Sequence, residues 1–236
     1  IVNDEIRDFA QRYRAPAPLP VELVPRSLFN PNLSAAWFAA VTAVINNVTQ
    51  LGILLTGAAL IREREHGTIE HLLVMPVTPL EIMLSKLWSM AVVVLVASSL
   101  SLKVVVEGFL AVDVPGSVLL FGVATLLYLF AAASIGIFMG TLARNMPQFG
   151  LMSILVLLPL QILSGALTPR ESMPELVRVL MSFTPTTHYV SLAQAVLFRD
   201  AGVAVVWPQF LIVAAIGGAF FALAHQRLRK TISAMQ

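Results

Sequence analysis

The sequence has no cysteine and few charged residues, and each shortage restricts what the protein can be. Without cysteine, the chain has no disulfides, no catalytic thiol and no thiolate metal site. Only 12% of its 236 residues are charged, whereas 58% are hydrophobic. A typical soluble domain has about 25% charged residues. This balance places the chain among membrane proteins rather than soluble globular ones.

The sequence also lacks the motifs of the common catalytic and nucleotide-binding sites. It has no G-x-x-x-x-G-K-[ST] motif, so this chain does not bind ATP through a P-loop. It has no G-x-S-x-G nucleophile motif and no pair of carboxylates inside an apolar run. Nothing in the pattern indicates nucleic-acid binding. We therefore predict no catalytic site, no cofactor and no metal in this chain.

Five apolar runs occupy most of the sequence. Each matches the roughly 20 residues that a helix needs to cross about 30 Å of hydrocarbon. The runs cover residues 35–60, 82–112, 118–142, 149–167 and 205–224. They predict an all-α integral membrane protein, a polytopic bundle with five transmembrane helices over residues 35–236.

The first 34 residues differ in composition from the rest. Val2, Ile6 and Phe9 repeat at helical spacing, and a proline-rich stretch at residues 15–20 then favours an extended linker. Because the sequence begins at Ile1 and not at methionine, we interpret residues 1–34 as the end of an external domain whose beginning lies upstream.

The distribution of Lys and Arg among short loops predicts the orientation, because cytoplasmic loops are enriched in both. One side carries seven such residues: Arg62, Arg64, Lys86, Arg144, Arg227, Arg229 and Lys230. The other side carries fewer in its short segments. We therefore place residues 61–81 and the C-terminus in the cytoplasm, and residues 1–34 outside, across a bacterial inner membrane.

The segment between the fourth and fifth runs, residues 168–202, is too polar to cross the membrane. Thr168 followed by Pro169 and Glu171 resembles a helix start. A second apolar piece follows the break at Thr184-Pro185 and is too short to span. We predict two short helices that dip into the outer leaflet or lie on it.

The longest charged island, residues 61–81, separates the first two runs. We interpret it as a short amphipathic helix at the interface, and the capping box Thr78-Pro79-Leu80-Glu81 predicts the start of the next span. The alternative is an ordinary cytoplasmic loop. His66, Glu70 and His71 resemble a zinc motif, but their spacing does not match His-Glu-x-x-His.

Polar side chains interrupt two of the runs. Asn46, Asn47 and Gln50 lie within the first, and Gln161 and Ser164 lie in the fourth. Amides cannot face hydrocarbon, so they must face protein or water. Two interpretations stay open: hydrogen bonds between helices, or the lining of a substrate path.

Two further patterns predict local contacts. Lys103 and Glu107 are four residues apart and should form an ion pair. Ser134, Gly136 and Gly140 give one helix face small residues, which favours close helix packing.

The charged island resembles the E-[RK]-E-x-G-T-x-E-x-L signature of ABC-2 type transporter permeases. The matching residues are Glu63, Arg64, Glu65, Gly67, Thr68, Glu70 and Leu72. Leu157-Leu158-Pro159-Leu160 with Ser164-Gly165, and Pro185-Thr186-Thr187-His188-Tyr189, also resemble the family. The similarity is close to its YhhJ-like branch and runs from about residue 30 to the C-terminus.

The resemblance implies a fold with six transmembrane helices, of which this chain would lack the first. It implies a second permease half and a separate ATPase subunit that carries ATP and Mg²⁺. The island would be the coupling helix that docks on the ATPase, through Glu63, Arg64, Glu65, Gly67, Thr68 and Glu70. The YhhJ-like branch is linked with multidrug-type export and a periplasmic membrane-fusion adaptor.

We therefore expect the permease subunit of an exporter for a hydrophobic or amphiphilic substrate, with a path along the first and fourth runs. The alternatives are a secondary transporter or channel driven by an ion gradient, or a membrane scaffold. An ion-driven transporter needs acids or arginines within its spans, and the runs have few.

Overall fold

The computed structural model describes residues 35–66, 78–110, 114–168 and 170–233, and within these residues the protein is helical and has no strand. The helices are α1 (Ala35–Glu65), α2 (Pro79–Leu100), α3 (Val118–Leu142), α4 (Met146–Leu163), α5 (Glu175–Ser182), α6 (Pro185–Arg199) and α7 (Val203–Ser233). Helix α2 continues as a π-helix over Ser101–Phe109.

Five helical segments in the described part of the chain are long and apolar enough to cross a membrane. They are Phe38–Glu65, Pro79–Phe109, Val118–Leu142, Met146–Leu163 and Val203–Lys230. The predicted all-α, multi-pass fold is confirmed. We call the end of the bundle that we predict to face the cytoplasm, where α1 ends and α4 begins, the inner end.

Local sequence signals explain several helix starts. The predicted capping box is present: Thr78 Oγ1 accepts from the Glu81 amide at 3.3 Å, and the Thr78 amide donates to Glu81 Oε2 at 2.6 Å. Asn145 caps α4 in the same way, because its side chain accepts from the Gln148 amide at 2.9 Å. The predicted ion pair Lys103–Glu107 is also confirmed, with Nζ and Oε2 2.9 Å apart.

Helix α3 is the central element, packed against α1, α2, α6 and α7. Its contact with α1 is close because glycine faces glycine. A Cβ atom on Gly136 would lie 2.3 Å from the Ile53 carbonyl oxygen, and one on Gly57 would lie 2.7 Å from the Gly136 carbonyl oxygen. Thr56 Oγ1 lies 3.3 Å from the Ala133 carbonyl oxygen across this contact, while its hydrogen is donated within α1 to the Gly52 carbonyl at 2.7 Å. The predicted use of the small-residue face for close packing is confirmed.

Helix α6 is inserted among its neighbours rather than lying on their surface. A buried chain of hydroxyl groups joins it to α1 and α3. Tyr128 Oη donates to Thr49 Oγ1 at 3.0 Å, so its second contact, to Thr186 Oγ1 at 3.0 Å, must have the threonine as donor. Tyr189 Oη contacts Thr125 Oγ1 at 3.0 Å, and the two tyrosine rings stack with centroids 4.0 Å apart.

Replacing Tyr128 with phenylalanine is expected to lower the thermal midpoint of the detergent-solubilised protein by a few degrees. The substitution keeps the stacked ring but removes one hydroxyl between Thr49 and Thr186. Such hydrogen bonds contribute about 0.6–1 kcal/mol each. A double-mutant cycle with Thr49→Val is the check. The combined loss should be smaller than the sum of the single losses, and strict additivity would contradict the network.

Two predicted boundaries are wrong. No interfacial helix begins at Ile61, because α1 continues to Glu65, and the His66 amide still bonds to the Arg62 carbonyl at 3.0 Å. No α-helix begins at Thr168. A 3₁₀-helix of three residues covers Arg170–Ser172, and the α-helix α5 begins only at Glu175. A helix started at Thr168 would carry Pro174 past its first turn, where proline removes a hydrogen bond and clashes with the preceding turn.

The other ends shift by a few residues. Helix α4 stops at Leu163, before the predicted 167, because Gly165 adopts a positive φ of 97° that breaks the helix. Helix α7 runs beyond the predicted 224 to Ser233. The two short helices predicted between the last two spans are present as α5 and α6.

Candidate functional site

The last turn of α1 carries the first part of the charged island, and its side chains reach three different helices. Consecutive residues of a helix point about 100° apart, since one turn takes 3.6 residues. Glu63, Arg64 and Glu65 therefore fan out over more than half the circumference of α1. Each one meets a different neighbour.

Glu63 binds α2 through an ion pair with Lys86. The Lys86 side chain is only 10% exposed and that of Glu63 31%, so the pair is largely shielded from water. Removing one partner of a shielded pair leaves a charge without compensation, which typically costs about 3–5 kcal/mol when the pair is fully buried. The ion pair therefore fastens the end of α1 to the second turn of α2.

Arg64 binds the end of α3. Its guanidinium donates to the Ala143 carbonyl at 2.6 Å and to the Gly140 carbonyl at 3.2 Å. The last carbonyls of a helix have no partner within it and carry a partial negative charge. A forked cation at this position satisfies two of them at once. Arg64 thus supplies the C-terminal cap that the uncharged sequence of α3 does not contain.

Glu65 binds the start of α4. Its Oε1 atom accepts from the Met146 amide at 2.8 Å. The first amides of a helix lack partners and carry a partial positive charge, so the negative carboxylate of Glu65 stabilises the start of α4. Arg64 does the same with a positive charge at the end of α3. The loop between α3 and α4 is short, and Arg64 and Glu65 hold both of its ends.

We call this group the inner junction: Glu63, Arg64 and Glu65 with their partners Lys86, Gly140, Ala143 and Met146. It ties the inner ends of three other spans, α2, α3 and α4, to the last turn of α1. Sequence reasoning identified the three charged residues but not their partners. Lys86 could have been proposed as a partner, because it is a lone charge early in an apolar run. The other partners bond through backbone carbonyl or amide groups, which every residue type has, so the sequence does not mark them.

The other predicted coupling residues, Gly67, Thr68 and Glu70, lie outside the described residues, as does His71. The inner junction stands immediately before that segment, and α2 begins at Pro79 soon after it. His66 bonds through Nδ1 to the Arg62 carbonyl at 2.8 Å. Among the described residues no group of His, Cys, Asp and Glu is arranged to hold a metal ion.

The predicted path residues fall into two separate groups. Asn47 and Gln50 line a cavity of about 450 Å³ between α1 and α2, together with Ser98 and Ser101 of the facing helix. Asn46 beside them has a buried Oδ1 atom without a hydrogen-bond partner in the described part of the chain.

Gln161 and Ser164 are not among the residues that line this cavity. They lie at the outer end of α4, where the buried Ser164 hydroxyl donates to the Gln161 carbonyl at 3.5 Å. The structure thus brings the amides of α1 together with hydroxyls of α2, and it keeps the polar groups of α4 apart from them.

Comparison with known proteins relates the chain to membrane transporters. Residues 2–225 match the family described as ABC-2 family transporter protein. The chain is 61% identical over its full length to the inner membrane transport permease YhhJ of Escherichia coli K12, and it covers 63% of that protein. It is 30% identical over 90% of its length to the probable multidrug ABC transporter permease YbhR of the same organism, and covers 59% of it.

Proposed function

The chain belongs to the ABC-2 family of transporter permeases, and from this premise we propose that it forms part of an exporter driven by ATP hydrolysis on a separate subunit. It is a multi-pass protein of the inner membrane. The proposed complex contains a nucleotide-binding ATPase with ATP and Mg²⁺, a second permease half, and a periplasmic adaptor of the membrane-fusion type.

The inner junction is the observation that carries this proposal. An ATPase that binds the island can pull directly only on the end of α1 and the start of α2, because the chain joins the island to these two helices. Arg64 and Glu65 extend the connection to α3 and α4 through bonds of 2.6–3.2 Å. A force on one loop is therefore shared by four spans.

In this mechanism the island has two surfaces. Glu63, Arg64 and Glu65 face the membrane domain, while Gly67, Thr68 and Glu70 contact the ATPase. Closure of the ATPase around ATP would favour one arrangement of the inner ends, and release of products would favour the other. Such a ligand can shift the balance only through different contacts with the two states, and the segment at residues 67–77 would provide them.

We propose that the substrate is a hydrophobic or amphiphilic compound that moves outward. The cavity between α1 and α2 supports this, because amides and hydroxyls alternate there with Val44, Leu51 and Val94, and none of the described residues that line it is charged. That lining suits a bulky, weakly polar molecule better than an ion. Asn46, Asn47 and Gln50 would contact the substrate first, with Gln161 and Ser164 on the outward side.

Charge reversal at Glu70 is expected to reduce ATP-driven export by about tenfold, within the usual range of a coupling free energy. The full-length permease is purified with its ATPase and placed in vesicles, and both export and ATP hydrolysis are measured against a panel of hydrophobic compounds. Charge reversal at Glu175 is the control, because this exposed acid lies on α5, away from the island.

The proposal requires the Glu70→Arg protein to insert normally and the Glu175→Arg protein to export normally. Copurification of an ATPase with the unmodified permease is required as well. An unmodified permease that binds no ATPase, or a Glu70→Arg protein that exports at the full rate, would refute the coupling role.

A further inference from the structure

A second cavity, of about 460 Å³, lies at the outer end of the bundle, away from the inner junction. It is formed where α1 begins, α4 ends and α7 begins, with α6 as one wall. Its polar lining consists of Arg170, Ser191, Gln194, Arg199 and Gln209. Its apolar lining consists of Phe38, Val190, Ala195, Val205 and Val206. The described residues that line it include two arginines and no acidic residue.

Arg170 is the group in this cavity best placed to bind an anion. Its side chain is half-buried and makes no hydrogen bond or ion pair with any described residue. It is held in place by packing, because the turn at Gly165 leaves room for its stem. A Cβ atom on Gly165 would lie 3.1 Å from Arg170 Cγ. Arg199 contributes a second positive charge, although it is already engaged within the chain.

Two glutamines add buried polar atoms without partners. Gln194 Nε2 and Gln209 Oε1 are each shielded from solvent and bond to nothing in the described ranges. A buried donor or acceptor without a partner costs about 1–3 kcal/mol. Natural structures contain few such groups, and each calls for a partner that completes it. Both atoms belong to residues that line the same cavity as Arg170.

We propose that this cavity binds the headgroup of an anionic amphiphile, with a phosphate or carboxylate on Arg170 and Gln194. Guanidinium binds either anion through two parallel hydrogen bonds. A hydroxyl of the headgroup donates to Gln209 Oε1, and the alkyl part lies along Phe38, Val205 and Val206. The volume far exceeds that of an inorganic ion, which is why the ligand includes an apolar portion.

This site is distinct from the uncharged cavity at Asn47 and Gln50. Binding at this site depends on the charge, the unpartnered amides and the apolar wall, and it requires neither the ATPase nor a direction of transport. Binding can therefore be measured on the permease alone.

The test measures ligand-induced thermal stabilisation of the full-length permease in a neutral maltoside detergent. The probes are dihexanoyl phosphatidic acid, dihexanoyl phosphatidylcholine and inorganic phosphate. Phosphatidic acid is expected to raise the melting temperature at the lowest concentration. Arg170→Gln should weaken its binding about tenfold, the effect of losing one charged hydrogen-bond partner.

Arg178→Gln is the matched control, because Arg178 is exposed on α5 and does not line the cavity. Gln194→Leu is the second test variant, since it keeps the volume of the side chain and removes the buried donor. The site is refuted if Arg170→Gln and Gln194→Leu bind phosphatidic acid as tightly as the unmodified protein, or if Arg178→Gln weakens binding equally. Equal binding of inorganic phosphate would overturn the requirement for an amphiphile.

Discussion

Replacing Arg64 with glutamine is expected to leave the permease inserted and folded but to reduce ATP-driven export by about tenfold, a typical coupling free energy. The substitution removes the forked cation that bonds to the Gly140 and Ala143 carbonyls. Helix α3 then ends without its cap and is no longer fastened to α1 at the inner end. Movement of the island would still reach α2 through the chain, but α3 would follow only through apolar packing.

Arg62 provides a matched control in the same turn of the same helix. Its side chain is exposed, whereas Arg64 is partly buried against α3. Arg62→Gln should therefore export at nearly the normal rate. The export rate of Arg64→Lys should lie between those of Arg62→Gln and Arg64→Gln, because one ammonium cannot reproduce the two directed bonds of a guanidinium. Export by vesicles and ATP hydrolysis by the complex are measured together. Equal losses for Arg62→Gln and Arg64→Gln would show that the bonds to α3 are not needed.

Replacing Gly136 with alanine is expected to reduce strongly the amount of folded protein. The new Cβ atom would lie 2.3 Å from both the Ile53 carbonyl oxygen and Thr56 Oγ1. A backbone oxygen cannot rotate away as a flexible side chain can, so α1 and α3 must separate. Overpacking of this kind costs about 1–3 kcal/mol and sometimes more. The measurement is the fraction of monodisperse protein after detergent extraction, with its melting temperature.

Gly218 is the control for Gly136. It also lies in a spanning helix, α7, but a Cβ atom there would meet nothing within 4 Å. Alanine is a better helix former than glycine by about 1 kcal/mol. Gly218→Ala should therefore keep or raise the melting temperature, while Gly136→Ala lowers it. A normal yield and melting temperature for Gly136→Ala would contradict the close contact between α1 and α3.

The sequence predicts this fold well wherever the signal is local. The bounds of α3, Val118–Leu142, coincide with an apolar run between a serine cap and a polar turn. The start of α2 follows from Thr78 and Glu81, which lie one turn apart and bond to each other through backbone and side chain. Apolar length and capping spacing need no knowledge of neighbouring helices, so both can be recognised in the chain itself.

Boundaries that depend on neighbouring helices could not be predicted in this way. A run of charge after Leu60 looks like the end of a span, yet α1 continues to Glu65 because three of those charges find partners on other helices. The start of α5 was misplaced for a local reason, since the penalty for Pro174 outweighs the capping pattern at Thr168.

The candidate site was likewise predictable only in the part that depends on local sequence. Glu63, Arg64 and Glu65 could be identified as important because they concentrate charge between apolar runs. Their partners could not, since two of the three contacts end on backbone carbonyl or amide groups. The cavity at Arg170 also escaped prediction, because its lining comes from five separate parts of the sequence. Only the folded chain brings them together.

The central claim is that the inner junction stays intact when the ATPase binds ATP, so that a force on the island is shared by the four spans that it joins. The most direct measurement places spin labels at Arg62 and Arg144, two exposed positions on either side of the junction, in the full-length permease bound to its ATPase. The distance between the labels is compared in the nucleotide-free and ATP-trapped states. We predict a change of no more than about 2 Å, the size of a small helix shift. A change of roughly 5 Å, one helical turn, would contradict the claim.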